Sequence, residues 1–186
     1  MLLLFVLIAR VRPRSIVTLD DGTIQFSVSN FGAYGLGASS IVPLQGAGFR
    51  YEGGSNYLFE AGLILSNSVL TSSSALHSFI YQSDNDFSPA NGGHMRWFDP
   101  GPIAAQQSLC AVTDDNADQP LGIRIIQESY SFDSPSDDFV ILRYILVNDN
   151  ETSVDNMRLG LMLDWDIFSF AANAGGWESA DGFAWM

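Results

Sequence analysis

The chain contains no lysine; its eight basic residues are all arginine. That absence excludes a catalytic lysine, a Schiff base and a P-loop, each of which needs a primary amine at a fixed place. Cysteine is nearly as scarce. Cys110 stands alone, so no intrachain disulfide can form and a thiolate-built structural zinc site is excluded. The two histidines, His77 and His94, are isolated in sequence and argue against catalytic zinc. Positive charge is sparse overall: eight bases face 21 acids, for a net charge of −13. Such a surface repels phosphate backbones, so nucleic acid is not an expected partner.

A long apolar run is missing too. Residues 2–9, Leu-Leu-Leu-Phe-Val-Leu-Ile-Ala, are far short of the roughly 20 needed to cross a bilayer as a helix, so no transmembrane helix is expected. Their length suits the apolar part of a signal peptide. However, Arg10, Arg12 and Arg14 follow the run instead of preceding it, and no small-x-small cleavage site is visible. Residues 1–15 therefore read as a degenerate signal, an apolar first strand, or the product of a misplaced start. At the other end, residues 182–186 read as the opening of a strand, which suggests that the sequence stops inside a larger protein.

Helical periodicity is also absent, and no internal repeat emerges. What the chain does have is 47% hydrophobic residues, with thirteen phenylalanines, six tyrosines and four tryptophans. This is the composition of an ordered, strand-rich domain of ordinary size. Residues 23–29 alternate, with Ile24, Phe26 and Val28 on one face, after the turn signal Asp20-Asp21-Gly22. A glycine-dense passage over 30–54 indicates turns and close backbone approach. Residues 57–65 read as a strand buried on both faces, with Gly62 marking a bulge or a tight contact. Residues 66–120 are irregular, with weak strands at 75–81 and 108–112 between polar punctuation. From 121 onward three strands are expected, at 122–132, 139–147 and 157–168, separated by a proline-bearing turn and a polar loop. They read as an antiparallel meander. The expected fold is all-β: an antiparallel β-sandwich with long irregular loops over residues 16–186, truncated at its C-terminal end if the parent protein is longer.

The stretch over 158–168 carries the main candidate site. Strand alternation places Leu159, Leu161, Leu163, Trp165 and Ile167 on one face, which is expected to be the core face. Met162, Asp164 and Asp166 share the other face, with the two carboxylates about 7 Å apart from a rise of ~3.3 Å per residue. Paired acids at that separation can do acid–base work, as in inverting glycosidases. Those enzymes place their acids across a cleft, though, and two acids on one strand suit a cation or a ligand better. Trp165 and Trp177, with Trp97, Phe98, Phe183 and Trp185, could form a sugar-stacking face, although core packing is the commoner fate of aromatic rings. Asp114, Asn116 and Asp118 have the spacing that opens a calcium loop. Gln119 stands where glycine is required and Ile125 where a bidentate acid belongs, so an EF-hand is excluded and only an irregular calcium site remains. Asp84-Asn85-Asp86 is a weaker case of the same kind. Around Ser55 the G-x-S-x-G elbow lacks its last glycine, so no catalytic triad is expected.

Four segments in order carry a resemblance: residues 21–24 (DGTI), 48–63 (GFRYEGGSNYLFEAGL), 138–144 (DFVILRY) and 160–167 (GLMLDWDI). Together they resemble a β-rich region of large secreted bacterial proteins, over roughly residues 16–186. Some of those proteins carry a subtilisin-like peptidase domain elsewhere. The resemblance implies an extracellular, non-catalytic accessory module whose partners are other domains of the same polypeptide. The peptidase Asp, His and Ser motifs are absent from this chain. Two alternatives stay open: a carbohydrate-binding or carbohydrate-active sandwich using Asp164, Asp166, Trp165 and Trp177, and a calcium-stabilised adhesion module using Asp114, Asn116 and Asp118. No cofactor is required by any of these, and calcium is the candidate ion.

Overall fold

A computed structural model describes residues 15–35, 46–68, 71–76, 86–167 and 174–185. No helix occurs among them. The strands are β1 (Ile16–Leu19), β2 (Ile24–Ser29), β3 (Ala33–Tyr34), β4 (Phe49–Tyr51), β5 (Leu58–Ser66), β6 (Ser72–Ser74), β7 (Ser88–Pro89), β8 (Arg96–Phe98), β9 (Gln106–Thr113), β10 (Ile123–Ser131), β11 (Val140–Asn148), β12 (Arg158–Trp165), β13 (Gly176–Glu178) and β14 (Phe183–Trp185). Every pairing is antiparallel.

Two sheets make a sandwich that does not close into a barrel. The larger runs β1-β2-β3-β5-β12, with β4 added to β2 and β6 to β5. The smaller runs β11-β10-β9-β7, with β8 added to β9. Strands β13 and β14 form a separate hairpin. Between the sheets lies one apolar layer: Phe26, Val28, Leu58, Leu63 and Leu65 from the first meet Val112, Ile123 and Ile125 from the second. The alternation expected over 23–29 places Ile24, Phe26 and Val28 in this layer, and the Asp20–Gly22 turn separates β1 from β2. That turn is clamped to the other sheet, because Gln106 Oε1 accepts hydrogen bonds from the Asp20 and Asp21 amides at 2.7 and 3.1 Å.

Strand β5 is fully buried on the face of Ala61, Leu63 and Leu65, while Glu60 and Ile64 on the other face are half-buried, and Gly62 marks a tight contact. A Cβ there would lie 2.9 Å from the Ala75 carbonyl oxygen, where the chain after β6 crosses it.

Two expectations are corrected. The three C-terminal strands are not a meander: β10 and β11 form a hairpin, but β12 crosses to the other sheet and pairs with β5 from Arg158↔Ser66 to Asp164↔Glu60. The loop after β11 permits this crossing, and its Val154 and Met157 pack on the core as it passes. Leu161 is not a core residue either. Leu159, Leu163 and Trp165 pack against the core, whereas Leu161 is 37% exposed. Strand β12 lies at the end of its sheet, so its inner face is only partly roofed. The expected strand at 75–81 lies mostly outside the described residues, as do His77, Asp84 and Asn85.

Candidate functional site

The end of β12 brings the predicted acids close together. Asp164 stands opposite Glu60 in the ladder, and a bulge follows between Asp164 and Trp165. Beyond the bulge the Asp166 amide donates to the Tyr57 carbonyl at 2.8 Å, which anchors the chain as it leaves the sheet. Partial desolvation, then the charges of Asp166 and Glu60, raise the Asp164 carboxyl above its ordinary range. This is an acidic end with mutual repulsion. Among the described residues, no group of three or more His, Cys, Asp or Glu side chains is arranged to hold a metal ion. Trp165 is used in packing: its ring meets Phe49 edge-to-face, with centroids 4.9 Å apart. Trp177 sits on the β13–β14 hairpin and is 65% exposed.

The loop after β9 divides its three candidate ligands. Asp114 is wholly buried, while Asn116 and Asp118 are exposed. Asp114 Oδ2 accepts from Ser73 Oγ at 2.9 Å and from the Leu121 amide at 2.6 Å, so the carboxylate ties both ends of its loop to β6. Its Oδ1 is buried and finds no hydrogen-bond partner among the described residues. An unpartnered buried carboxylate oxygen is costly and calls for a cation or a water.

His94 lies with Arg96 and Arg124 around a shallow cleft of about 210 Å³, floored by Leu109 and Ile126 on the outer face of the smaller sheet. Arg124 is already committed to Asp149 through two hydrogen bonds of 2.9 and 2.8 Å.

Two features went unforeseen. One is a buried polar chain between the sheets. Tyr144 Oη donates to Tyr34 Oη at 2.9 Å, Tyr34 Oη donates to Gln127 Oε1, and Gln127 Nε2 donates to the Ser29 carbonyl at 3.2 Å. Cys110 lies beside it, its thiol 3.8 Å from the same carbonyl, and burial pushes that thiol up to about 12. The other is strand β11. Its Val140, Leu142 and Tyr144 pack inward, yet Ile141 and Ile145 on the opposite face are 44% and 37% exposed. Phe139 and Leu146 are 42% and 40% exposed. Here a sequence signal did exist: from Phe139 to Val147 the sole charged residue is Arg143, so the outer face carries one charge among apolar side chains.

No family model matches this chain, and no curated protein or solved structure matches it.

Proposed function

We propose that this chain is a non-catalytic accessory module of a secreted multidomain protein, and that it works by packing against other domains of the same polypeptide. The outer face of β11 carries this reading. Phe139, Ile141 and Ile145 are exposed on that face, and the one charge between them, Arg143, is paired with Glu128 on β10. Scattered apolar residues are ordinary on a surface, but a row along one strand marks a protein contact. The resemblance of residues 16–186 to β-rich regions of secreted bacterial proteins supports the same setting. Any subtilisin-like peptidase activity would belong to another domain.

The test is to sequence the coding region on both sides, express the longer product and follow amide exchange along β11. The expected result is an open frame that continues and slower exchange over residues 139–146 than in the 186-residue chain. A frame closed at both ends, or identical exchange in the two products, overturns the proposal.

One observation favours a second reading, a calcium-stabilised module: the buried Oδ1 of Asp114, which has no partner among the described residues. Calcium takes oxygen ligands, and loop carbonyls can complete a set that begins with one carboxylate. Under this reading calcium raises the melting temperature of the wild type relative to chelator, by mass action on the folded state. Asp114→Asn abolishes the difference. A wild-type melting temperature that is the same in both buffers removes the cation.

A further inference from the structure

Strand β12 lies at the end of the larger sheet and pairs only with β5 among the described strands. Its regular ladder runs from Arg158 to the bulge after Asp164, and Leu161 is the midpoint. We propose that β12 is a homodimerisation edge, pairing antiparallel with β12 of a second copy about a two-fold axis at Leu161, so that the two larger sheets become one. An isologous contact of this kind requires one patch to be complementary to itself, and β12 is.

In that register Arg158 of each copy lies opposite Asp164 of the other. Leu159 meets Leu163, Gly160 meets Met162, and the two Leu161 side chains face each other. Each pair shares a face, because strand alternation is preserved when the register sum is even. The charges match: the ion pairs of the described residues, Arg124–Asp149 and Arg143–Glu128, leave Arg158 free, while Asp164 sits among the repelling charges of Glu60 and Asp166. Shape agrees as well. A Cβ built on Gly160 would find only Ile64 atoms, at 3.9 Å, which leaves space beside it for the Met162 side chain of the second copy. The exposed Leu161 would be covered by its own counterpart.

Nothing along the strand forbids pairing, since it has no proline and the bulge comes only after Asp164. Among the other edge strands, β1 and β7 have only four and two residues, and β11, at the end of the smaller sheet, carries one charged side chain, Arg143, which is already 3.0 Å from Glu128 and offers no matching acid to a second β11. The β12 contact is therefore separate from the packing surface proposed for β11, and either can fail alone.

The experiment is sedimentation equilibrium on the full chain across a dilution series, with the melting curve of each variant as a folding control. Wild type is expected to form a reversible dimer. Arg158→Glu and Asp164→Arg each place like charges opposite one another twice per dimer, and each should weaken association by at least about tenfold. The double exchange, Arg158→Glu with Asp164→Arg, restores the opposite-charge pairs and should recover dimerisation. A wild-type chain that stays monomeric at every concentration overturns the proposal, as does a dimer untouched by either single change. Folded single variants that dissociate, with a double variant that fails to reassociate, overturn the register.

Discussion

Leu63→Ala is expected to destabilise the fold by about 2–5 kcal/mol, while Leu161→Ala costs about 1 kcal/mol or less in dilute, monomeric protein. The two leucines are partners in the β5–β12 ladder, on the same inner face of neighbouring strands. Chemistry and strand geometry are therefore shared, and only burial separates them: Leu63 is 0% exposed and Leu161 37%. Removing Leu63 leaves a void among Phe26, Leu58 and the other packed side chains of a layer that cannot easily collapse. Removing Leu161 takes away a side chain that water already reaches. Urea unfolding measures both, through the midpoint at constant slope. Equal losses at the two positions would mean that the inner face of β12 is roofed as completely as that of β5.

The second large effect belongs to the buried polar chain. Gln127 is 0% exposed, accepts from Tyr34 and donates to the Ser29 carbonyl, so it joins β10 of one sheet to β2 of the other. Gln127→Ala leaves the Tyr34 hydroxyl without its acceptor and also opens a void; the expected cost is about 3–5 kcal/mol. Tyr34→Phe leaves Gln127 Oε1 without this donor and Tyr144 without this acceptor, for about 1–3 kcal/mol. Combining Tyr34→Phe with Gln127→Leu should cost less than the sum of the single changes, because an apolar pair leaves no orphaned group between them. A strictly additive cycle would show that the two side chains do not act together.

The same burial sets an alkaline limit on the fold. Desolvation pushes Tyr144 up to about 12 and raises Tyr34 well above its ordinary value, with the neighbouring phenol adding to the rise at Tyr34. A phenol that keeps its proton longer when folded contributes stability that is full below the unfolded value of about 10. That contribution is lost as pH rises from there toward the folded value, because the unfolded chain releases its protons first. Cys110 adds to the loss from a lower starting point, its thiol moving from 9.0 to about 12.

The acids at the end of β12 show how far local pattern can reach. Alternation was expected to carry Asp164 and Asp166 along one strand face, but a bulge follows Asp164 and the strand ends at Trp165, so Asp166 lies beyond it, where its charge still acts on Asp164. Sequence could not reveal Glu60 as the third member, because it comes from β5, about a hundred positions earlier in the chain. The Asp114 loop makes the same point in reverse. Its spacing looked like three ligands on one loop, but Ser73 and Leu121 draw the first carboxylate inside while Asn116 and Asp118 stay in solvent.

By itself the sequence determined the all-β class, most long strands, the Asp20–Gly22 turn and an irregularity at Gly62, either a bulge or a close contact. These follow from period-two alternation, turn residues and composition, which act within a few positions of the chain. Only the tertiary structure decided that β12 leaves its hairpin neighbours for β5, that Leu161 lies open while Leu63 is sealed, and that Tyr34, Gln127 and Tyr144 meet between the sheets. Strand partners and burial depend on which distant backbone edge is free and which face it roofs, and alternation within one strand is the same whichever neighbour is found.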